Sequence, residues 1–151
     1  MPQFGVPQIS EVSAVAHVIQ LAVAPVFLLS GIGAMLAVMT NRLSRVIDRA
    51  RTLETRLDAG PPAAVAALQT ELAVLARRAK LVSRAITLCT TTALLICTVI
   101  AVLFLSAFIR FDTSIPIALL FIAAMTTFFL GLLWFLREIF LATASLRFRT
   151  K

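Results

Sequence analysis

Three long apolar runs are separated by charged or polar stretches along the chain. The apolar runs lie at residues 11–40, 85–109 and 115–136, and each is long enough for the roughly 20 residues that an α-helix needs to span a hydrocarbon core. This pattern predicts an all-α integral membrane protein with three transmembrane helices.

The charged segment 41–84 carries its own apolar repeat, in steps of three and four residues. Such a repeat is the seam of a coiled coil. The outgoing seam is Leu43, Val46, Ala50, Leu53 and Leu57, and the returning seam is Val65, Leu68, Leu72, Leu75, Ala79, Val82 and Ile86. Gly60, Pro61 and Pro62 favour a turn at 58–62. We therefore expect helices 1 and 2 to continue out of the membrane as an antiparallel coiled-coil hairpin.

The remaining segments are short. Residues 1–10 are expected to form an extracytoplasmic leader, residues 110–114 an outer turn and residues 137–151 a basic cytoplasmic tail. Pro25 predicts a kink in the first helix. Helices 1 and 2 have no glycine or proline at 34–59 or at 63–109, so neither helix should stop at the membrane surface.

Charge sets the expected orientation. The formal net charge is +7, and most Lys and Arg residues lie in 41–84 or from Arg137 onward. The positive-inside rule then places the hairpin and the C-terminus in the cytoplasm and the N-terminus outside. Anionic lipids are the expected partners of these basic groups. Nucleic acid is not expected, because the hairpin has no aromatic residue to stack on bases.

Polar residues in the apolar runs are candidates for a pore or ion site. His17 and Gln20 lie three residues apart on the first helix, and the second helix carries Thr87 and Thr91 among other threonines. They could line a pathway for ions. The alternatives are that His17 and Gln20 lie in the headgroup layer and that the hydroxyls bond to carbonyls of their own helix.

Two basic stripes follow the hairpin seam. The first is Arg42, Arg45, Arg49 and Arg56, and the second is Arg77, Lys80 and Arg84. They could anchor the protein to anionic lipid, dock a cytoplasmic partner or, in an oligomer, form rings that attract anions. Asp48 is expected to pair with a neighbouring arginine.

Small residues follow Pro25 at helical spacing. Ser30 with Ala34 and Gly33 with Ala37 form two small-xxx-small pairs, which allow another helix to approach closely.

Enzyme chemistry, cofactors and metals find no support in the sequence. The single histidine has no nucleophile or carboxylate at motif spacing. Cys89 and Cys97 lie on one helix without a Cys-x-x-Cys pair, and are interpreted as small buried hydrophobic residues.

Two resemblances add to this account. The run from Phe111 to Pro116 resembles the aromatic-Asp-x-x-Glu-Pro entrance of mitochondrial calcium uniporters, which makes Asp112 an ion candidate. Ile115 stands where the pore glutamate would be, and one acid beside Arg110 is a poor calcium site.

The second resemblance covers nearly the whole chain. The runs Ala24-Pro25-Val26-Phe27-Leu28-Leu29-Ser30-Gly31-Ile32-Gly33 and Thr40-Asn41-Arg42-Leu43-Ser44-Arg45-Val46-Ile47-Asp48-Arg49-Ala50-Arg51 resemble a bacterial family of small three-helix integral membrane proteins classed as a domain of unknown function. The resemblance implies the bacterial inner membrane and no known activity.

Two functions are compatible with this sequence. The first is a homo-oligomeric ion channel or permeation pathway with a cytoplasmic coiled-coil vestibule, because three helices are few to enclose a pathway alone. The alternative is a membrane-anchored scaffold or regulatory protein whose hairpin docks a cytoplasmic protein without transport.

Overall fold

The described part of the chain is entirely helical. The computed structural model describes the backbone of residues 7–59, 62–108 and 114–147 and the side chains of residues 15–57, 65–106 and 114–143. Helix α1 is Pro7–Ala59, α2 is Pro62–Phe108 and α3 is Ser114–Arg147. The prediction of an all-α chain with three long apolar helices is confirmed.

The first two helices have no break between their apolar and charged halves. Helix α1 has 53 residues and continues through the buried Pro25, so it is about 80 Å long at 1.5 Å per residue. Helix α2 has 47 residues and is also continuous. Both observations agree with the absence of glycine and proline beyond Ala34 in α1 and beyond Pro62 in α2.

Two helix ends differ from the sequence prediction. Helix α1 begins at Pro7 rather than near residue 11, because proline is well tolerated in a first helical turn. Helix α3 continues past residue 136 to Arg147, since residues 137–147 contain no glycine or proline. The predicted tail is therefore largely the last part of α3. Much of the predicted leader, Gly60 and Pro61 of the tip, and most of the outer turn lie outside the described residues.

The core has two parts. The larger one is built by all three helices around Ile32, Met39, Val82, Cys89, Ile96 and Phe135, with Ala85 and Ala124 at close contacts. The smaller one joins only the charged halves of α1 and α2, through Val46, Leu53 and Leu75 with Ala50, Leu68, Leu72 and Ala79 packed against them. Every member of this smaller cluster belongs to the apolar seams expected from the sequence.

Helix α2 is the central element. It packs along both α1 and α3, whereas α1 and α3 approach each other much less closely. Helix α3 packs along the apolar half of α2 and reaches its charged half, where Arg78 contacts Glu138, before α3 ends at Arg147. Glu138 is the buried charged residue of the described core.

Candidate functional site

Glu138 joins the three helices. Its side chain is fully buried, although it lies on the highly apolar helix α3. Arg78 of α2 donates to its Oε1 from Nε at 3.2 Å and from Nη2 at 2.8 Å. Arg42 of α1 places Nη2 3.4 Å from Oε2. One carboxylate thus pairs with an arginine from each of the other two helices.

The pairing is unequal. Arg78 makes a two-nitrogen contact that satisfies Oε1, whereas Oε2 lacks a hydrogen bond of good geometry. Arg42 therefore contributes mainly through charge attraction. Its guanidinium also lies over the Phe135 ring, with Cζ 5.4 Å from the centroid, a favourable cation–π distance.

A second group of arginines surrounds Trp134. The Cζ atom of Arg84 is 5.1 Å from the ring centroid and that of Arg137 is 5.7 Å from it. Arg84 belongs to α2 and Arg137 to α3, so the indole brings cations from two helices together. In the described part of the chain, the ion pairs join Arg42 and Arg78 to Glu138 and Arg49 to Glu71. Arg84 and Arg137 take part in none of them.

Most of the predicted basic stripes lie on the surface. Arg45, Arg49, Arg56, Arg77, Lys80 and Arg84 are exposed, and Arg42 is half-buried against α3. Arg49 pairs with Glu71 across the hairpin at 2.9 Å, with both side chains about half exposed. The expected pairing of Asp48 is not found among the described residues. Asp48 is exposed, and Arg78 of α2 pairs with Glu138.

The pore candidates on α2 lie on its uncovered face. Thr87 and Thr91 are exposed, as are Leu94 and Thr98 further along, and these four residues recur at steps of four, three and four, so they share one helical face. Thr87 donates to the Ser83 carbonyl at 3.0 Å, and Thr91 donates to the Thr87 carbonyl at 2.9 Å. Each hydroxyl is thus satisfied within its own helix and keeps an oxygen that can accept a further bond.

The α1 candidates are also uncovered. His17 and Gln20 are exposed, and so are Ser30, Gly33, Ala34 and Ala37. A Cβ atom added to Gly33 would meet nothing within 4 Å. Within the described residues, the small residues are therefore not buried against α2 or α3. Asp112 lies outside the described residues.

Gly131 marks the closest approach between α2 and α3. A Cβ atom on this glycine would lie 3.1 Å from Cys89 Sγ, 3.3 Å from Leu88 Cβ and 3.5 Å from the Ala85 carbonyl oxygen. Cys89 is fully buried, with Sγ 4.0 Å from Met39 Sδ of α1. Cys97 is exposed, which differs from the expectation that both cysteines are buried. Within the described residues, no group of three or more His, Cys, Asp or Glu side chains could hold a metal ion.

Sequence reasoning missed the Glu138 cluster and Gly131. A signal for the first was present, because an acid within a long apolar helix is costly unless it finds a cationic partner. Which arginines it contacts depends on how α3 is positioned along α2. The spacing of apolar residues within α3 does not determine that position.

These features define an all-α protein with three helices that are long and apolar enough to cross a membrane, joined by a buried charge cluster. The candidate spans, by length and composition, are Val15–Leu57, Val65–Ser106 and Ser114–Thr143. The chain belongs to the family described as "Protein of unknown function (DUF2721)", which matches residues 22–148. No curated protein and no solved structure matches it.

Proposed function

We propose that the protein is a homo-oligomeric, multi-pass membrane protein whose subunits surround a permeation pathway for ions. In this arrangement the N-terminus is outside, the C-terminus is cytoplasmic, and the coiled-coil hairpins of several subunits form a vestibule, as their basic charge favours. The observation that carries the proposal is the row of threonines on the uncovered face of α2. A single chain leaves Thr87, Thr91 and Thr98 without a covering helix.

The hydroxyl row can line a pathway without destabilising a single subunit. Each threonine already donates to its own helix, so it costs little in an apolar environment. The remaining lone pairs of the hydroxyl oxygens can accept bonds from water or contact a cation. Several copies of α2 facing a common axis would turn one row into a polar lining.

The exposed small residues of α1 supply a contact for assembly. Gly33 has open space around it, and Ser30, Ala34 and Ala37 are exposed on the same helix. Backbones can approach closely where side chains are small, and such packing is a main source of helix association in membranes.

Replacing Gly33 with isoleucine is expected to shift the protein from oligomer to monomer while each subunit keeps its fold. The added side chain has free space within the subunit but would hold a neighbouring helix away. Crosslinking in native membranes and the molar mass in mild detergent measure the change. Ala123→Ile, on the exposed surface of α3, is the matched control and should leave the oligomer intact. A monomeric wild-type protein in both settings would contradict the assembly.

Cys97 provides a native probe of the proposed lining. It is exposed and lies one residue before Thr98, so its side chain points about 100° around α2 from that threonine and probes the flank of the row. Charged methanethiosulfonates react with thiolates in water, so we expect Cys97 to be modified in intact proteoliposomes and the buried Cys89 to be spared. Mass spectrometry of the labelled protein identifies the site, with Cys97→Ser as the control. An unreactive Cys97 would place this flank of α2 against lipid or another helix.

The second candidate is a scaffold whose hairpin docks a cytoplasmic protein. A groove of about 380 Å³ in the hairpin favours it; its lining is Val46, Ile47, Ala50, Arg51, Glu54, Leu72, Leu75, Ala76 and Ala79. Its apolar floor and charged rim resemble a surface on which an amphipathic helix could bind. This alternative predicts a stoichiometric partner that is lost when residues 41–84 are deleted, together with no ion flux.

A further inference from the structure

Trp134 contacts two arginines that have no acidic partner in the described part of the chain. Both guanidinium groups are within 6 Å of the ring centroid, at 5.1 Å for Arg84 and 5.7 Å for Arg137. Both arginines are exposed, and the indole is partly buried. Stacking on one ring limits the freedom of two long side chains and places both positive charges around the same indole. That arrangement is unfavourable for the charges alone and becomes favourable when an anion joins them.

A neighbouring pair of arginines does have an acidic partner. Arg42 and Arg78 also lie close together, and the protein supplies Glu138 between them. No side chain plays this part for Arg84 and Arg137 in the described residues. Guanidinium groups present planar pairs of N–H donors that match phosphate oxygens, so a phosphate is the anion that fits them best.

The surface beside this pair is apolar. An open groove of about 400 Å³ runs along α3, lined by Leu130, Leu133, Trp134, Leu136, Arg137 and Phe140. Arg137 and Trp134 thus belong both to the cationic pair and to the groove. The three leucines are each more than 40% exposed, and Leu130 and Leu133 lead from Trp134 toward the apolar half of α3. A ligand that fills both parts has an anionic head and a hydrocarbon chain.

We propose that Arg84, Trp134 and Arg137 bind the phosphate of an anionic phospholipid, with one acyl chain lying in the α3 groove. This site is separate from the threonine row and from the Glu138 cluster. The proposal rests on the membrane placement argued above but not on permeation, so a protein without ion flux could still carry the site. Inorganic phosphate would bind the arginines but has no hydrocarbon chain to occupy the groove.

The chain has a single tryptophan, so intrinsic fluorescence reports on this site directly. We would titrate short-chain phosphatidylglycerol into the protein in an uncharged detergent and follow the emission of Trp134. A saturable change is expected, whereas short-chain phosphatidylcholine and inorganic phosphate should each bind at least about tenfold more weakly, since the choline cation offsets the charge of the first and the second has no acyl chain.

The matched variants are Arg84→Gln with Arg137→Gln, and Arg45→Gln with Arg56→Gln. Both pairs remove two exposed arginines that form no ion pair in the described residues. The first pair is expected to weaken phosphatidylglycerol binding at least about tenfold, and the second to leave it unchanged. Protection of Cys89 from thiol reagents verifies that each variant is folded.

Several results would overturn the proposal. Equal losses in the two variant pairs would show a diffuse effect of net charge, and equal affinity for phosphatidylcholine would show that the phosphate environment is not selective. Inorganic phosphate that binds as tightly as phosphatidylglycerol would define a site for a free anion rather than for a lipid. A failure of ion flux leaves all of these outcomes unaffected, so the two proposals fail separately.

Discussion

Glu138→Gln is expected to lower the free energy of unfolding by about 3 kcal/mol, because removing one partner of a buried ion pair leaves the other charges uncompensated. Glu138 is fully buried, and its partners Arg78 and Arg42 have side-chain exposures of 19% and 34%. Partial access to water places the cost at the lower end of the range for buried pairs. Glutamine keeps the size of the side chain, so the effect isolates the charge.

The measurement is thermal unfolding in detergent, followed by a dye that becomes fluorescent on reaction with Cys89. A Cys97→Ser background removes the exposed thiol. Glu71→Gln is the matched control, since Glu71 also pairs with an arginine at 2.9 Å but is 46% exposed. Exposed pairs contribute about 0–1 kcal/mol. Similar melting temperatures for the two variants would show that the Glu138 cluster does not hold the helices together.

Gly131→Val is expected to separate α3 from α2 and to destabilise the subunit by about 1–3 kcal/mol or more. Its Cβ atom would lie 3.1 Å from Cys89 Sγ and 3.3 Å from Leu88 Cβ. Two further methyl groups have no space there. The Leu88 Cβ atom is fixed to the α2 backbone, so relief requires movement of a whole helix.

Loss of this contact should also expose Cys89, and labelling of that thiol at ambient temperature measures the effect. Gly31→Val makes the same chemical change at a helical glycine with nothing within 4 Å. Both variants share the helix-propensity change of glycine to valine, so the difference between them reports packing. If Cys89 stays protected in Gly131→Val, the close approach of α2 and α3 at this point is wrong.

The three helices and the contacts between the charged halves of α1 and α2 were largely predictable from the sequence. Uninterrupted stretches without glycine or proline predicted α1 and α2 as single rods, and the steps of three and four predicted which residues pack in the hairpin, as Val46, Leu53 and Leu75 do. These features depend on local sequence and on a short connection between antiparallel neighbours. The apolar seam is set by the local sequence of each helix. A short connection between the two helices then sets which seam residues lie opposite one another.

The placement of α3 was not predictable in the same way. Its apolar residues surround the helix, as its exposed Leu119, Ile122, Phe129 and Phe140 show, so hydrophobicity does not choose the face that meets α2. Gly131 and Glu138 determine which face of α3 packs on α2. Gly131 allows the two helices to approach closely, and Glu138 needs cationic partners. Their importance becomes visible only when Cys89 and Arg78 are known to lie opposite them.

The candidate residues show the same difference between features set within one helix and features set by contacts between helices. Thr87 and Thr91 could be assigned to α2 from the sequence, and the structure adds that their face is uncovered and that their hydroxyls are satisfied locally. Arg84 was predicted as part of a basic stripe, but its contact with Trp134 joins it to Arg137 of a different helix. Contacts between helices decide such groupings, and single-helix patterns do not contain them.

Ion flux through proteoliposomes tests the proposed pathway most directly. Wild-type protein should conduct ions above the level of protein-free liposomes. A charged methanethiosulfonate that modifies Cys97 should reduce this flux, because Cys97 is exposed at the flank of the α2 face that carries Thr98. Cys97→Ser protein should conduct without responding to the reagent. Wild-type flux no greater than that of protein-free liposomes, from protein shown to be folded and oligomeric, would contradict the permeation pathway.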